Sequence, residues 1–204
     1  MKRCFIFGAL PVDFMPEKPG EGDLIIAADK GYDVALSLGI APDITVGDFD
    51  SRGSAPETEN LVKLNVRKDD TDVGHAVGLG FERGFSDFVI YGAVGGLLDH
   101  SLANIAIAHD IVRRGGNALY IGDEYSFTVI SGSRYRFAPR NGGRISVFAL
   151  GGDARGVNIR GLDYEAVDLD LPCAAHIGVS NAFIGSSAEI SVRSGHLLII
   201  WQSR

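Results

Sequence analysis

Cysteine is nearly absent from this chain of 204 residues: only Cys4 and Cys173 occur, far apart and each in an apolar setting. Two distant thiols exclude a disulfide-stapled scaffold and a cysteine-built metal site, and fit buried free thiols in a reducing compartment. Basic charge is scarce as well: 19 Lys and Arg face 26 Asp and Glu, a net charge of −7. A nucleic-acid groove needs a basic footprint, so no nucleic-acid partner is expected. Long apolar runs are missing too. No stretch reaches the roughly eighteen uninterrupted apolar residues of a membrane span. The opening Met1-Lys2-Arg3, followed by the apolar run to Leu10, imitates a signal peptide only faintly, because Pro11 and Asp13 cut it short and no small-residue cleavage site follows. Internal repeats and low-complexity segments are absent. The expectation is a cytoplasmic protein without a membrane partner.

What is present is ordinary globular composition, 46% hydrophobic and 22% charged, on a length that suits one large domain or two small ones. The first half alternates short apolar runs with helical spacing. Strands are expected over 4–8, 24–28, 44–46, 61–66 and 87–91, and helices over 29–38, 71–83 and 97–114. That alternation predicts an α/β unit with a mainly parallel open sheet and flanking helices. The second half loses the helices. Short strands over 118–121, 125–130, 134–137, 144–150, 155–159, 176–179, 189–193 and 197–201 are punctuated by Gly, Asn, Asp, Ser and Pro. This spacing reads as an all-β sandwich or barrel. The last strand is apolar throughout and is expected in a sheet interior. The boundary should fall between Gly116 and Glu124, giving domains over 1–118 and 119–204.

The densest chemical signal is Val46-Gly47-Asp48-Phe49-Asp50-Ser51, two carboxylates one residue apart at the end of an apolar run. A second acidic knot, Asp69-Asp70-Thr71-Asp72, follows the next run. In an open parallel sheet, ligands gather at the carboxyl ends of the strands. Both knots fall there. So do Asp29, after the second strand, and Gly92-Ala93-Val94-Gly95-Gly96, after the fifth, with Asp99-His100 opening the long helix. Clustered carboxylates repel one another and resist desolvation. A divalent cation resolves that conflict, and oxygen-only donors suit Mg²⁺, which keeps waters and bridges carboxylates to substrate phosphates.

Each residue alone has a plainer role. Asp50-Ser51 can form a turn, and Asp72 and Asp99 can cap or charge a first helical turn. For Asp48, Asp50 and Asp72 together the metal reading is preferred, because a helix needs one capping carboxylate and not a pair one residue apart. Gly95-Gly96 can cradle phosphate at a helix N-terminus or form an ordinary turn. Its spacing matches neither the Gly-x-x-x-x-Gly-Lys-Ser/Thr loop nor Gly-x-Gly-x-x-Gly. His100 can meet a phosphate or a base, whereas His75, His109, His176 and His196 read as core or surface residues. Glu57-Thr58-Glu59 and Asp168-Leu169-Asp170 read as solvated faces.

Assembled in order, these segments resemble the thiamine pyrophosphokinase family. Ala27-Ala28-Asp29-Lys30-Gly31, Leu38-Gly39-Ile40-Ala41-Pro42-Asp43 and Gly47-Asp48-Phe49-Asp50-Ser51 are similar to its N-terminal signature. Lys68-Asp69-Asp70-Thr71-Asp72 resembles its second acidic motif, and Gly95-Gly96-Leu97-Leu98-Asp99-His100 with Leu102-Ala103-Asn104 its third. Gly161-Leu162-Asp163-Tyr164 and Ser180-Asn181-Ala182-Phe183-Ile184-Gly185 resemble its thiamine-side motifs. The resemblance implies an α/β nucleotide-binding domain followed by a β-sandwich, acting as a homodimer with shared active sites. It implies transfer of the pyrophosphate group of ATP to the hydroxyl of thiamine, giving thiamine diphosphate and AMP. Asp48, Asp50 and Asp72 would hold Mg²⁺ and the triphosphate. Asp29, Ser51, Asp69, Thr71, Gly95, Gly96, Asp99 and His100 would line the ATP side. Tyr164 would stack on the thiamine pyrimidine, and Ser180 and Asn181 would contact its polar edge.

The chemistry agrees with such a residue set. Attack at the β-phosphorus needs an in-line oxygen, charge neutralisation and exclusion of water more than covalent help. A cationic, aromatic acceptor suits an acidic pocket with a stacking ring. Four positions depart from the family pattern. Leu97 stands where Arg is usual, Lys30 where a second Gly is usual, Ala182 where an acidic residue is frequent, and His75 where Glu or Lys is frequent. They leave two other readings open: a non-catalytic thiamine- or nucleotide-binding relative, and a Mg²⁺-dependent pyrophosphokinase for another alcohol. Asp48-Phe49-Asp50 also resembles the Asp-x-Asp of haloacid-dehalogenase-like phosphatases, but those carry the pair after the first strand.

Overall fold

The computed structural model describes residues 2–47, 61–63 and 71–204. The chain divides into two compact units, Met1–Asp123 and Glu124–Arg204. In the first unit the apolar runs become parallel strands: β1 (Cys4–Phe7), β2 (Leu24–Ala28), β3 (Ile44–Gly47), β4 (Leu61–Lys63), β5 (Asp87–Tyr91) and β6 (Asn117–Ile121). They lie in the order β6-β5-β1-β2-β3-β4. All of β1 and the run Phe88–Tyr91 of β5 are buried, as central strands covered on both faces must be. Helices α1 (Gly31–Ser37), α2 (Asp72–Glu82) and α3 (Leu98–Arg113) follow β2, β4 and β5.

Strand order reverses beside β1. The chain lays β2, β3 and β4 successively on one side of β1, then returns to place β5 and β6 on the other. The crevice beyond the carboxyl ends of β1 and β5 is therefore where an open α/β sheet offers a ligand site. The sheet beneath it is firmly packed. Phe7 and Tyr91 stack with ring centroids 5.6 Å apart. The Tyr91 hydroxyl donates to the Glu17 carbonyl at 2.7 Å and accepts from the Glu17 N–H at 3.0 Å, which satisfies a buried phenol.

The second unit is all-β. Strands β7 (Tyr125–Ser131), β8 (Arg134–Phe137), β9 (Asn141–Ala149), β10 (Ala154–Arg160), β11 (Ala166–Leu171), β12 (Asn181–Ile184), β13 (Ala188–Ser191) and β14 (His196–Gln202) are antiparallel to their neighbours within the unit. They run in the orders β12-β9-β14-β7 and β11-β10-β13-β8. Aromatic rings fill the space between these layers: Phe137 of β8 meets Phe183 of β12 and Trp201 of β14, each at 5.1 Å, and Tyr135 meets Trp201 at 5.5 Å. This is a β-sandwich. The apolar β14 lies between β9 and β7, and burial of Leu197 and Ile199 on one face and Leu198 on the other explains its lack of alternation.

Two local expectations need correction, and a third is incomplete. The run 118–121 does not open the β half: β6 pairs in parallel with β5 and belongs to the first unit. Residues 176–179 are not a strand. One bond, Val147 N–H to the Gly178 carbonyl at 2.8 Å, ties them to β9, and Ser180 then turns the chain with φ +62°, so regular pairing starts only at Asn181. Asp168-Leu169-Asp170, read as a solvated face, lies within β11 with both carboxylates exposed. The reading and the structure agree on exposure there, and the missed part is the extended backbone.

Candidate active site

A cavity of about 290 Å³ opens at the carboxyl edge of the parallel sheet, lined by the turns after β1, β2 and β5 and by the starts of α2 and α3. Asp29, Thr71, Asp72, Gly95 and His100 meet there. Asp29 follows β2 in a left-handed conformation, φ +49°, a strained geometry for a residue with a side chain and one that clusters at functional sites. Its N–H donates to the Val46 carbonyl at 2.8 Å. Gly47 favours that approach, since a Cβ there would crowd Asp29 Cα at 3.1 Å. The glycine preceding Asp48 thus has a physical role of its own.

Thr71 caps α2: its hydroxyl accepts from the Gly74 N–H at 3.1 Å. The capping role expected for Asp72 belongs to its neighbour. Asp72 occupies the first turn of the helix, where the positive end of the helix dipole favours a carboxylate. On the other side of the cavity, Gly92, Gly95 and Gly96 adopt φ of +65°, +100° and +65°, conformations that favour glycine. α3 pins this loop. The buried Asn104 donates from Nδ2 to the Ala93 carbonyl at 2.7 Å, and the Ser101 hydroxyl donates to the Gly95 carbonyl at 3.1 Å.

Gly96 and Asp99 are not on the cavity wall. Asp99 is exposed and accepts from the His100 N–H at 2.9 Å. Asp48, Asp50, Ser51 and Asp69 lie outside the described residues. Sequence reasoning missed Gly8, Ala9 and Leu10, which line the cavity after β1, and gave Asn104 no role. Their position at the carboxyl end of the central strand was the available signal.

The donors present fit a hard cation in kind. Asp29 and Asp72 both line the cavity, and the hydroxyl residue Thr71 accompanies them. Among the described residues no group of three or more His, Cys, Asp or Glu is placed to hold a metal ion, and no Lys or Arg lines the cavity. Leu97, 67% exposed, lies on its rim.

The second unit holds a different cavity, of about 300 Å³, walled by Ile145, Val147, Ile159, Leu162 and neighbouring apolar side chains. Tyr164, Glu165 and Asn181 line it as well. Tyr164 is 70% exposed, yet its peptide is held at both ends by the Asn181 amide. Asn181 Oδ1 also accepts from the Ala182 N–H at 2.8 Å. Asn181 therefore spends three bonds on backbone, and its role in this structure is to fix the Tyr164 loop. Ser180, left-handed and exposed, donates its N–H to the Ser146 hydroxyl at 3.1 Å and does not line the cavity.

Comparison with known proteins gives both units the same relatives. Residues 20–120 match the family described as thiamin pyrophosphokinase, catalytic domain, and residues 134–197 match thiamin pyrophosphokinase, vitamin B1 binding domain. Thiamine pyrophosphokinase of Bacillus subtilis (strain 168) is 26% identical over 210 residues, covering 98% of each chain. A crystal structure of thiamine pyrophosphokinase from Bacillus subtilis superposes with a TM-score of 0.84 at 25% identity, over 99% of each chain. The enzyme from Candida albicans shares the fold, with a TM-score of 0.77 at 13% identity, over 98% of this chain and 88% of that one. The first matched segment carries the carboxylate-lined cavity's wall from Ala28 onward, the second carries the whole wall of the Tyr164 cavity, and the chain belongs to the thiamin pyrophosphokinase family.

Proposed function

We propose that this enzyme transfers the pyrophosphate group of ATP to the hydroxyl of thiamine, releasing AMP and thiamine diphosphate. The observation that carries the reading is the chemical contrast between the cavities. One, at the switch point of a parallel sheet, offers carboxylates, a capped helix N-terminus and a glycine loop. The other offers apolar walls and an exposed tyrosine. The first suits a triphosphate and its cation, the second an aromatic acceptor.

In this reading Asp48, Asp50 and Asp72 hold Mg²⁺, with Asp29, Ser51, Asp69, Thr71, Gly95, Gly96, Asp99 and His100 around the nucleotide. When bound, the cation would neutralise charge on the phosphate oxygens. The chain's own work is positioning. Thr71 orders the start of α2, Asn104 and Ser101 hold the loop after β5, and backbone N–H groups at these turns can face phosphate oxygens. The thiamine hydroxyl attacks the β-phosphorus in line, the bond to the AMP oxygen breaks, and the hydroxyl proton is lost. Tyr164 presents a ring to the pyrimidine, with Ser180 and Asn181 shaping its surroundings. A nucleotide role for the first unit, a thiamine role for the second, a homodimeric working form and a cytoplasmic location belong to the same reading, supported by family membership. Among the described residues no helix is long and apolar enough to cross a membrane.

The test is product analysis with pure protein, thiamine, ATP and Mg²⁺, with a metal-free control. Metal-dependent thiamine diphosphate with equimolar AMP is expected. ADP or phosphate as the nucleotide product, or turnover unaffected by chelator, would reject the mechanism.

A further inference from the structure

The apolar cavity of the second unit carries a charged side chain on its wall, Glu165, next in sequence to Tyr164. Glu165 is exposed and makes no ion pair among the described residues. It is nevertheless held in place. Its Oε1 accepts from the Gly161 N–H at 2.7 Å, which ties the carboxylate back to the start of its own loop. That loop is anchored to the neighbouring β12 segment by Asp163 N–H to the Ala182 carbonyl at 3.0 Å, by the two Asn181–Tyr164 bonds, and by the Ser186 hydroxyl to the Gly161 carbonyl at 3.1 Å. Exposed Ile177 and Val179 border the same cavity.

A fixed carboxylate beside an apolar cavity, with no Lys or Arg among the described residues that line it, discriminates between ligands. An uncharged heteroaromatic gains nothing from it and takes water away from it. A cationic one gains Coulombic attraction, and the face of Tyr164 adds to the gain. We infer that Glu165 reads the positive charge of the acceptor, so that the site selects a cationic heteroaromatic alcohol over an uncharged one of the same shape. The inference rests on the assignment of this cavity to thiamine. It adds a specificity-determining residue to those considered above, separate from the carboxylates of the first unit.

Glu165→Gln tests it, because glutamine keeps a carbonyl oxygen to accept from Gly161 and exchanges the other carboxylate oxygen for an uncharged amide nitrogen of the same size. The probes are thiamine and its uncharged isostere in which a thiophene ring replaces the thiazolium, with binding measured by calorimetry. In the variant, Kd for thiamine should rise about three- to tenfold, the range for a partly solvated charge pair. Kd for the isostere and KM for ATP should stay unchanged. Equal weakening of both probes would make Glu165 a shape or loop residue and overturn the inference, as would thiamine binding as tight as in the unsubstituted protein. If the unsubstituted protein binds neither probe, the assignment of the cavity to thiamine fails and the inference falls with it.

Discussion

Asn181 grips Tyr164 by both ends of its peptide: Oδ1 accepts from the Tyr164 N–H at 2.9 Å and Nδ2 donates to the Tyr164 carbonyl at 2.7 Å. The proposed stacking of Tyr164 on thiamine would start from an ordered backbone, which lowers the entropy lost on binding. Asn181→Ala strands three backbone groups at once, at a cost of about 1–3 kcal/mol. Thermal unfolding should show that loss. KM for thiamine should rise while KM for ATP stays constant. Asn181→Asp, which keeps the acceptor oxygen but loses the donor, should fall between. Equal rises in both KM values would point to a general loosening of the unit.

Asp72 and Thr71 divide two jobs that either could have done. Thr71 caps the helix, and Asp72 is left on the cavity wall. Asp72→Asn should therefore cost less than about 1 kcal/mol of stability, the scale of a lost helix-dipole interaction. Turnover should fall by at least about a hundredfold if the carboxylate supports phosphoryl transfer. Unfolding curves and initial rates on the same preparation separate the effects. Near-normal turnover would remove Asp72 from the site. Thr71→Ala should do the reverse on stability, losing about 1 kcal/mol of capping energy.

The α/β-then-β order was legible because the two periodicities differ and parallel strands buried on both faces read as short apolar runs. β6 shows the limit. Nothing in Ala118-Leu119-Tyr120-Ile121 tells a final parallel strand from the first strand of a sandwich, because only the partner decides. Residues 176–179 show another. Their apolar spacing is real, but the left-handed Ser180 ends the extended path, and a positive φ at a serine has no sequence signature. In the site, Asp29, Thr71, Asp72 and His100 were legible as polar residues following strands. Leu10 and Ala9 were not, since apolar residues in a turn carry no chemical flag. The clamp role of Asn181 was hidden because an amide reads equally well as a ligand contact or a backbone tether.

Cys4 and Cys173 make a built-in report on the first unit. Cys4 is fully buried, and burial pushes its thiol up to about 12, whereas Cys173 is exposed. The thiolate is the reactive form, so near neutral pH a thiol reagent should label Cys173 and leave Cys4 until the unit unfolds. Because the native value of Cys4 lies above its unfolded value, the stability linked to its neutral form is complete below the unfolded value and is lost as pH rises toward about 12. Mass spectrometry of the labelled native and denatured protein checks the order of modification. Rapid labelling of Cys4 in the native state would contradict its burial in β1.

Leu97 is the departure with the sharpest functional consequence. It stands on the rim of a cavity that has Asp29 and Asp72 on its wall and no Lys or Arg among the described lining residues. A triphosphate entering there meets carboxylates with no guanidinium among the described lining residues to offset them. Leu97→Arg places a fork-shaped cation beside the start of α3, where 67% exposure leaves room for a longer side chain. A bidentate Arg–phosphate contact is a strong, charge-assisted one. At fixed Mg²⁺, KM for ATP should fall about three- to tenfold in the variant, on the scale of a partly solvated ion pair, while KM for thiamine stays constant. The gain should shrink as salt is raised, because the new attraction is screened. An unchanged KM for ATP at low salt would show that the site already neutralises the triphosphate without residue 97.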